Sequence, residues 1–336
     1  MGHQIRIAGS DHTFLSDDDE SVLEAAEKHG LRLAHDCRFG GCSTCRIKLL
    51  EGEVTYAEWP FGLTEAEAES GYALACQARA ASNLKIQATL WSDHFQPPDL
   101  YPAIIVDLQE VCASVVRVRL QIAEPVTLLP GQYFNLCLDD GTQRSFSLAN
   151  LDQSQWLECH IRRVPNGHFT QQLGRELGVG HALEVELPLG QFLFDHDSLR
   201  PAVMLATGTG IAPLRAMLQD LAARKSQQDI VLFWGNRAES DFYLHDELIA
   251  YANLHPWFTY FPVISKGGSP GYETGYVQQV MQDQMKHLNR FDAYLCGNPN
   301  MILDAKERLL AEGISTERIF SDSFLFQHQL ETSSTP

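Results

Sequence analysis

Nine residues constrain this chain more than any others: Cys37-Arg-Phe-Gly-Gly-Cys42-Ser-Thr-Cys45, a C-x4-C-x2-C run, with Cys76 following 31 positions after Cys45. Two irons with bridging sulfides need four thiolates, and this spacing offers three from one tight loop and one from a distant element, the pattern of a [2Fe–2S] site. Gly40 and Gly41 let the loop backbone wrap closely and point N–H groups at the sulfurs. A structural zinc site competes for such cysteines, but it usually joins C-x2-C to a second close pair of Cys or His, and Cys76 has no such companion. The metal ligands are therefore read as Cys37, Cys42, Cys45 and Cys76. Cys112, Cys137 and Cys159 lie in strand-like runs and read as small core residues.

A chain of 336 residues has room for two or three domains, and 44% hydrophobic content supplies their cores. With 25 Lys+Arg against 43 Asp+Glu, the formal charge of −18 gives no electrostatic reason to bind nucleic acid or an anionic membrane. It favours solubility and would suit a basic protein face. The opening MGHQIRIAGS holds no apolar stretch long enough for a signal peptide, and no later segment approaches transmembrane length. The expectation is a cytoplasmic protein, whose clustered cysteines bind metal rather than pair as disulfides.

The chain divides by pattern. In 1–92, strands at 3–8 and 12–15 precede a helix over 20–29, Thr64-Glu65-Ala66-Glu67 forms a capping box, and 84–90 alternates like a strand. The polar, three-proline stretch 93–102 reads as a linker. Short β-like runs fill 103–197, interrupted by one helix near 168–177, and predict a small antiparallel barrel. Over 198–326, PAVMLA, IVLFWG, FTYFPV and FDAYLC alternate with helices near 213–224, 241–252, 275–287 and 299–311, and a last strand falls near Ile319. Alternation of this kind predicts a doubly wound parallel sheet, making the whole a multidomain α/β protein. The end, 327–336, reads as a disordered tail.

Segment 1–92, with CRFGGCSTC and the LACQ containing Cys76, resembles plant-type ferredoxins, which implies a β-grasp fold. The second candidate site is Arg144-Ser-Phe146-Ser147. Alone it is also what an ordinary strand with an exposed arginine would show. GQYFNLCL before it, His160-Ile161-Arg162 on a later strand and Gly167-His-Phe-Thr170 opening the one helix complete an order that resembles the flavin domain of the ferredoxin–NADP reductase superfamily. The resemblance implies that Arg144 pairs with the flavin pyrophosphate, that Phe146 lies against the flavin and that Ser147 hydrogen-bonds near its reactive nitrogen. His160, Ile161 and Arg162 join the cofactor-binding set, and Thr170 with the helix-start amides after Gly167 helps to hold the pyrophosphate. The family usually has Tyr where Phe146 stands, so a hydroxyl contact is lost while the aromatic face remains.

The third site is Thr207-Gly208-Thr209-Gly210-Ile-Ala-Pro213, directly after the first strand of the α/β segment. Its glycines let backbone approach a phosphate, and Pro213 suits the first turn of the next helix. Cys296-Gly297-Asn-Pro299 ends a later strand, and open parallel sheets bind ligands outside the carboxyl ends of their strands. The same superfamily has this pair of motifs, and the resemblance puts Cys296 beside the nicotinamide. Ser147 and Cys296 are thus the residues expected at the reacting atoms. Glu239 and Asp241, in the loop after the second strand, fit a free ribose 2′-hydroxyl and favour NADH, although Arg237 argues for NADPH. Relatives place an aromatic residue over the flavin near the chain end, where Phe324 stands; a buried core Phe is the competing reading.

The order of the sites, ferredoxin then flavin barrel then pyridine-nucleotide domain, resembles the single-chain reductase components of bacterial multicomponent oxygenases, such as those of benzoate dioxygenase, naphthalene dioxygenase and methane monooxygenase. Phthalate-type relatives carry the ferredoxin domain at the other end and use FMN, so the arrangement here implies FAD. The implied activity is electron transfer from NADH through FAD and [2Fe–2S] to a terminal oxygenase component or its ferredoxin, as in aromatic hydrocarbon catabolism. Three alternatives stand beside it: the reductase serving a sugar 3-dehydrase in deoxysugar synthesis, a reductase that releases free reduced flavin, and a non-enzymatic metal-cluster sensor or scaffold. The last leaves RSFS, GTGIAP and CGNP without a purpose.

Overall fold

The computed structural model describes residues 2–35, 37–90, 98–150, 156–165 and 167–324. The chain forms two compact units, residues 1–95 with 321–336, and residues 96–320.

The first unit holds β1 (His3–Ile7), β2 (Thr13–Ser16), α1 (Val22–Lys28), β3 (Arg46–Glu51), β4 (Val54–Thr55), α2 (Glu65–Glu69), β5 (Tyr72–Leu74), β6 (Arg79–Ala80) and β7 (Leu84–Gln87). Five of these strands make one mixed sheet in the order β2-β1-β7-β3-β5, with β1 antiparallel to β2 and parallel to β7. Ile5, Ile7, Leu84 and Ile86 share a core with Val22, Leu23, Ala25 and Ala26 of α1, each large side chain contributing about 1.5–3 kcal/mol by burial. The helix starts later than acidic residues 17–20 suggest. Ser21 is its N-cap and closes a capping box with Glu24, so the first orphan N–H groups are satisfied there.

The second unit opens with β8 (Asp99–Cys112), β9 (Val115–Ile122), β10 (Tyr133–Cys137), β11 (Gln143–Ser147), β12 (Trp156–Arg162), α3 (His168–Gln172) and β13 (Ala182–Leu189). The strands run in the order β11-β10-β13-β8-β9-β12, and every neighbour is antiparallel, the barrel that the short alternating runs predict. Two details differ from expectation. Of the stretch read as a linker, residues 93–97 lie outside the described residues, but Asp99 to Pro102 are strand and pair with Glu184 to Leu187. The proline is tolerated because its carbonyl accepts from Ala123 N (3.0 Å) on the side where the β9 ladder has only begun. The expected helix over 168–177 stops at Gln172: Leu173 is extended and Gly174 takes φ +81°, so the chain folds back, with Leu177 N bonding Gln172 O (3.0 Å).

The remainder alternates β14 (Ala202–Thr207), α4 (Ile211–Ala223), β15 (Ile230–Asn236), α5 (His245–Leu254), β16 (Phe258–Ile264), β17 (Glu273–Thr274), α6 (Val277–Gln284), β18 (Asp292–Gly297), α7 (Pro299–Ala311) and β19 (Ile319–Ser323). The sheet order is β17-β16-β15-β14-β18-β19. Pairings of β14 with β15 and β18, and of β15 with β16, are parallel. The order reverses at β14, which places a topological switch point between β14 and β18. The tail read at 327–336 lies outside the described residues.

Candidate functional site

The four cysteines fall into two pairs. Cys45 and Cys76 bring their sulfurs to 3.2 Å, while Cys37 Sγ accepts from Gly41 N (3.3 Å) and Cys42 N (3.4 Å). Within each pair one thiol is pushed down and the other up. A hydrogen bond from Cys42 lowers Cys37 and raises Cys42 in return; Cys45 and Cys76 relate in the same way. Each pair thus sets a lowered thiol beside a raised one, and two cysteine sulfurs for each of two irons is the donor set a [2Fe–2S] cluster requires. The loop holds a conformation few sequences adopt: Arg38 and Ser43 are non-glycine residues at φ +61° and +64°. Such positions cost about 1–3 kcal/mol and persist where the surroundings over-determine them. Gln77 Nε2 donates to Arg38 O (2.8 Å) and Ser43 Oγ to Gly62 O (2.6 Å). In the same unit, the hydroxyl of Ser323 donates to Gly41 O (2.8 Å).

The nucleotide motifs converge at the switch point. Ala206 and Cys296 are register partners on β14 and β18, so the turns that follow meet. A Cβ on Gly210 would lie 2.6 Å from Cys296 C and 2.8 Å from Gly297 Cα, closer than real side chains come. Thr207 Oγ1 accepts from Asn298 N (2.8 Å), and Trp234 Nε1 donates to Gly208 O (2.9 Å). Thr209 is buried within the short 3-10 turn Gly208–Gly210. Pro213 lies in the first turn of α4, and Pro299 opens α7 behind the N-cap Asn298. Cys296 itself is fully buried.

On the barrel, β11 carries Arg144, Phe146 and Ser147. Arg144 Nη1 donates to Gln143 O (2.8 Å), and among the described residues no carboxylate pairs with it. Phe146 is half-buried and its ring lies 5.6 Å from that of Phe169. Ser147 is buried opposite Tyr133. Thr170 turns its hydroxyl to Val164 O (3.1 Å) and Gly167 O (3.2 Å), so it ties down its own loop. On β12 the three expected residues separate. Ile161 belongs to the barrel core. Arg162 is exposed, with Nη1 3.3 Å from where a Cβ on Gly208 would stand. His160 is buried, its Nδ1 3.0 Å from Tyr243 Oη and its Nε2 3.4 Å from Glu158 Oε1. Of the acidic residues read as ribose ligands, Glu239 accepts from Ser269 Oγ (2.7 Å) and Asp241 from Ser114 Oγ (3.1 Å). Phe324, directly after β19, is half-exposed rather than a core residue.

Sequence reasoning missed Arg215 and Glu158. Arg215, on α4 two residues past Pro213, donates to Ala149 O (2.7 Å) and Glu158 Oε1 (3.1 Å) through Nη1, and to Glu247 Oε2 (3.3 Å) through Nη2. Glu158 also accepts from Arg119 Nε (2.7 Å). Burial alone would raise its carboxyl, but hydrogen bonds from His160 and Arg119 and the charge of Arg215 hold it down at about 2. The partners of Arg215 lie 66, 57 and 32 positions away, beyond any local pattern.

A ferredoxin-like unit with paired thiolates, a flavin-type barrel and a nucleotide sheet in one chain define an electron-transfer oxidoreductase of the ferredoxin–NADP reductase type. Comparison with known proteins agrees segment by segment: residues 5–81 match the 2Fe-2S iron-sulfur cluster binding domain, 102–194 the oxidoreductase FAD-binding domain and 204–307 the oxidoreductase NAD-binding domain. The chain is 31% identical over 343 residues to terephthalate 1,2-dioxygenase reductase component 1 of Comamonas sp., covering 96% of this chain and 98% of that one. It is 31% identical over 331 residues to the CDP-6-deoxy-L-threo-D-glycero-4-hexulose-3-dehydrase reductase of Yersinia pseudotuberculosis, covering 97% and 99%. Among solved structures it is similar to the Amycolatopsis cytochrome P450 reductase GcoB, with TM-score 0.72 and 30% identity over 96% of this chain and 98% of that chain. The chain belongs to this family of iron–sulfur flavoprotein reductase components. Among the described residues no helix is long and apolar enough to cross a membrane.

Proposed function

We propose that this chain is the NADH-oxidising reductase of a terminal oxygenase acting on aromatic compounds. Flavins accept a hydride and release single electrons, and a [2Fe–2S] cluster relays one at a time, so together they match a two-electron donor to a one-electron acceptor. The observation that carries the reading is that one chain holds all three sites, each with groups of the required chemistry: two pairs of cysteines, an arginine at 144 with no carboxylate partner among the described residues, and glycine turns that meet at the switch point. In this reading Arg144, Phe146 and Ser147 face the flavin, the turns around Gly208–Gly210 and Gly297 hold the nucleotide, and Cys296 stands at the nicotinamide end. Glu239, exposed on the loop after β15, supports NADH over NADPH. A protein acceptor also accounts for Phe39, Trp59 and Phe61, whose rings are 40%, 56% and 39% exposed on and beside the cysteine loop. Large apolar rings clustered in water mark a surface that another protein covers.

The dehydrase relative supports a second acceptor of the same class, a sugar 3-dehydrase. One experiment tests both. The loaded protein is titrated anaerobically with NADH and NADPH while flavin and cluster absorbance are followed, then mixed with an aromatic-ring oxygenase or a hexulose dehydrase lacking its own reductase. Bleaching by NADH with product formed only by the oxygenase is the expected result. Product from the dehydrase alone would transfer the chain to the second reading, and no bleaching would reject both.

A further inference from the structure

Hydride transfer between a nicotinamide and a flavin requires the reacting atoms to be held within roughly 3–3.5 Å, and an error of about 1 Å can cost two orders of magnitude in rate. In unit 96–320 the flavin-type strand β11 and β14, which leads into the nucleotide turn Gly208–Gly210, belong to different sheets, so their separation depends on the contacts that bridge the two sheets. Among the described residues, polar bridges between them include Ser114 to Asp241, His160 to Tyr243, and Arg215 to Ala149 and Glu158. Arg215 is the one that reaches the run carrying Ser147. Ala149 lies two residues past Ser147, and Arg215 lies five past Gly210 on the helix that this turn starts.

The geometry points to Arg215 as a positioning residue for hydride transfer, a rigid fork that fixes the flavin-facing strand against the nucleotide turn. The fork is built to be stiff. Its Nη1 holds the Ala149 carbonyl (2.7 Å) and the Glu158 carboxylate (3.1 Å), and its other edge holds Glu247 of α5. Arg119 occupies the second oxygen of Glu158, and Ala149 N donates back to Glu158 O (2.8 Å). Glu158 is 4% exposed and the Arg215 side chain 15%, so water competes weakly and the charge-assisted bonds keep their strength. Arg215 and Glu158 both line two cavities, of about 500 and 270 Å³. Apolar contacts also span the two sheets, with Met217 of α4 against Gly131 and the Phe194 ring stacked 4.9 Å from that of Tyr294; the fork adds a directional tie between α4 and the run after Ser147. Lysine would keep the charge but not the planar fork.

The inference rests on reading Ser147 and Gly208–Gly210 as flavin and nucleotide residues. Its test uses the FAD- and cluster-loaded full chain with R215Q, R215K and E247Q. Anaerobic stopped-flow bleaching of the flavin at saturating NADH is expected to slow at least about tenfold in R215Q, with the half-saturating NADH concentration within about threefold of wild type. The long-wavelength charge-transfer absorbance between reduced flavin and NAD+, which reports ring contact and not turnover, should weaken in parallel. R215K should recover part of both signals. E247Q, which removes the charge and one of the two acceptors at the exposed edge of the fork, should fold in any case and slow bleaching by about threefold or more. Bleaching rates and charge-transfer bands equal to wild type in E247Q and in any Arg215 variant that loads flavin would overturn the inference, as would a slowing matched by an equal rise in the NADH requirement. A wild-type chain that binds neither FAD nor NADH would instead reject the site reading on which it rests.

Discussion

His160 illustrates how burial decides a residue's state. It is 5% exposed, and burial lowers its pKa from 6.5 even though the hydrogen bond and charge of Glu158 pull upward. A neutral ring with its proton on Nε2 donates to Glu158 and leaves Nδ1 to accept from Tyr243, whose own hydroxyl burial keeps protonated. The sign of the linkage follows. Below about pH 6.5 the unfolded chain binds a proton at this position that the folded chain refuses, so stability falls as pH drops through that region. Glu158, held near 2, stays ionised throughout, and of the other groups acting on the ring Arg215 lowers its pKa and Glu247 raises it. The melting temperature of the wild type should therefore decline more steeply from about pH 7 to about pH 5 than that of H160Q, which keeps a donor and an acceptor but cannot titrate. Parallel declines would show that His160 titrates normally in the fold. At this scale the sequence reveals chemistry that is local. Three cysteines at fixed spacing, with a fourth downstream, and two glycine turns are legible, because short runs of sequence carry them. The partners of His160 and Arg215 are not, because folding alone brings Tyr243 and Ala149 to them.

Among the elements, α2 shows both what a pattern reveals and where it stops. Thr64 to Glu67 reads as a capping box, and both bonds form: Thr64 Oγ1 accepts from Glu67 N (3.2 Å) and Glu67 Oε2 from Thr64 N (2.9 Å). Nothing in those four residues indicates that Glu67 is 2% exposed and that its other oxygen meets Arg46 at 3.1 Å, 21 positions away. The short loop before this helix is fastened to the cysteine loop by Gly62 N to Gly40 O (2.6 Å), so the cap and the metal site share a foundation. Removing the cap in T64A should cost about 1 kcal/mol. E67A removes the carboxylate that serves both the cap and Arg46, and should cost more than T64A, about 2–3 kcal/mol. Urea midpoints, with iron per chain measured after desalting, check the ranking: E67A is expected to lose iron and T64A to keep it. Equal effects would mean that the ion pair adds nothing to the cap. The strand at Asp99–Pro102 was hidden for a related reason. Prolines and polar residues signal a linker locally, while pairing with β13 and a β9 ladder that has only begun where the donor is missing are visible only in the folded chain.

Across the whole molecule, the linear order of the motifs carries the architecture, since each site lies within its own segment and its own core. One buried cluster joins the cysteine-bearing unit, and separate clusters fill the barrel and the nucleotide sheet. That division allows the cluster to be removed without dismantling the hydride-accepting half. Ferricyanide, a small one-electron oxidant, can collect electrons from a flavin directly, whereas a protein acceptor too large to enter a flavin site depends on an outer relay. In C42S the cluster should be lost, because one thiolate of the Cys37–Cys42 pair is gone. NADH-dependent ferricyanide reduction should then stay within about twofold of wild type while reduction of the protein acceptor falls at least about tenfold. Proportionate loss of both activities would mean that the two units are energetically interdependent and that the cluster supports the fold. Retention of both would mean that electrons leave from the flavin, which would make the chain a flavin reductase with an accessory metal site. The exposed Phe39, Trp59 and Phe61 beside the cysteine loop favour the first outcome, since a surface for a protein acceptor has a use there only if electrons leave by the cluster.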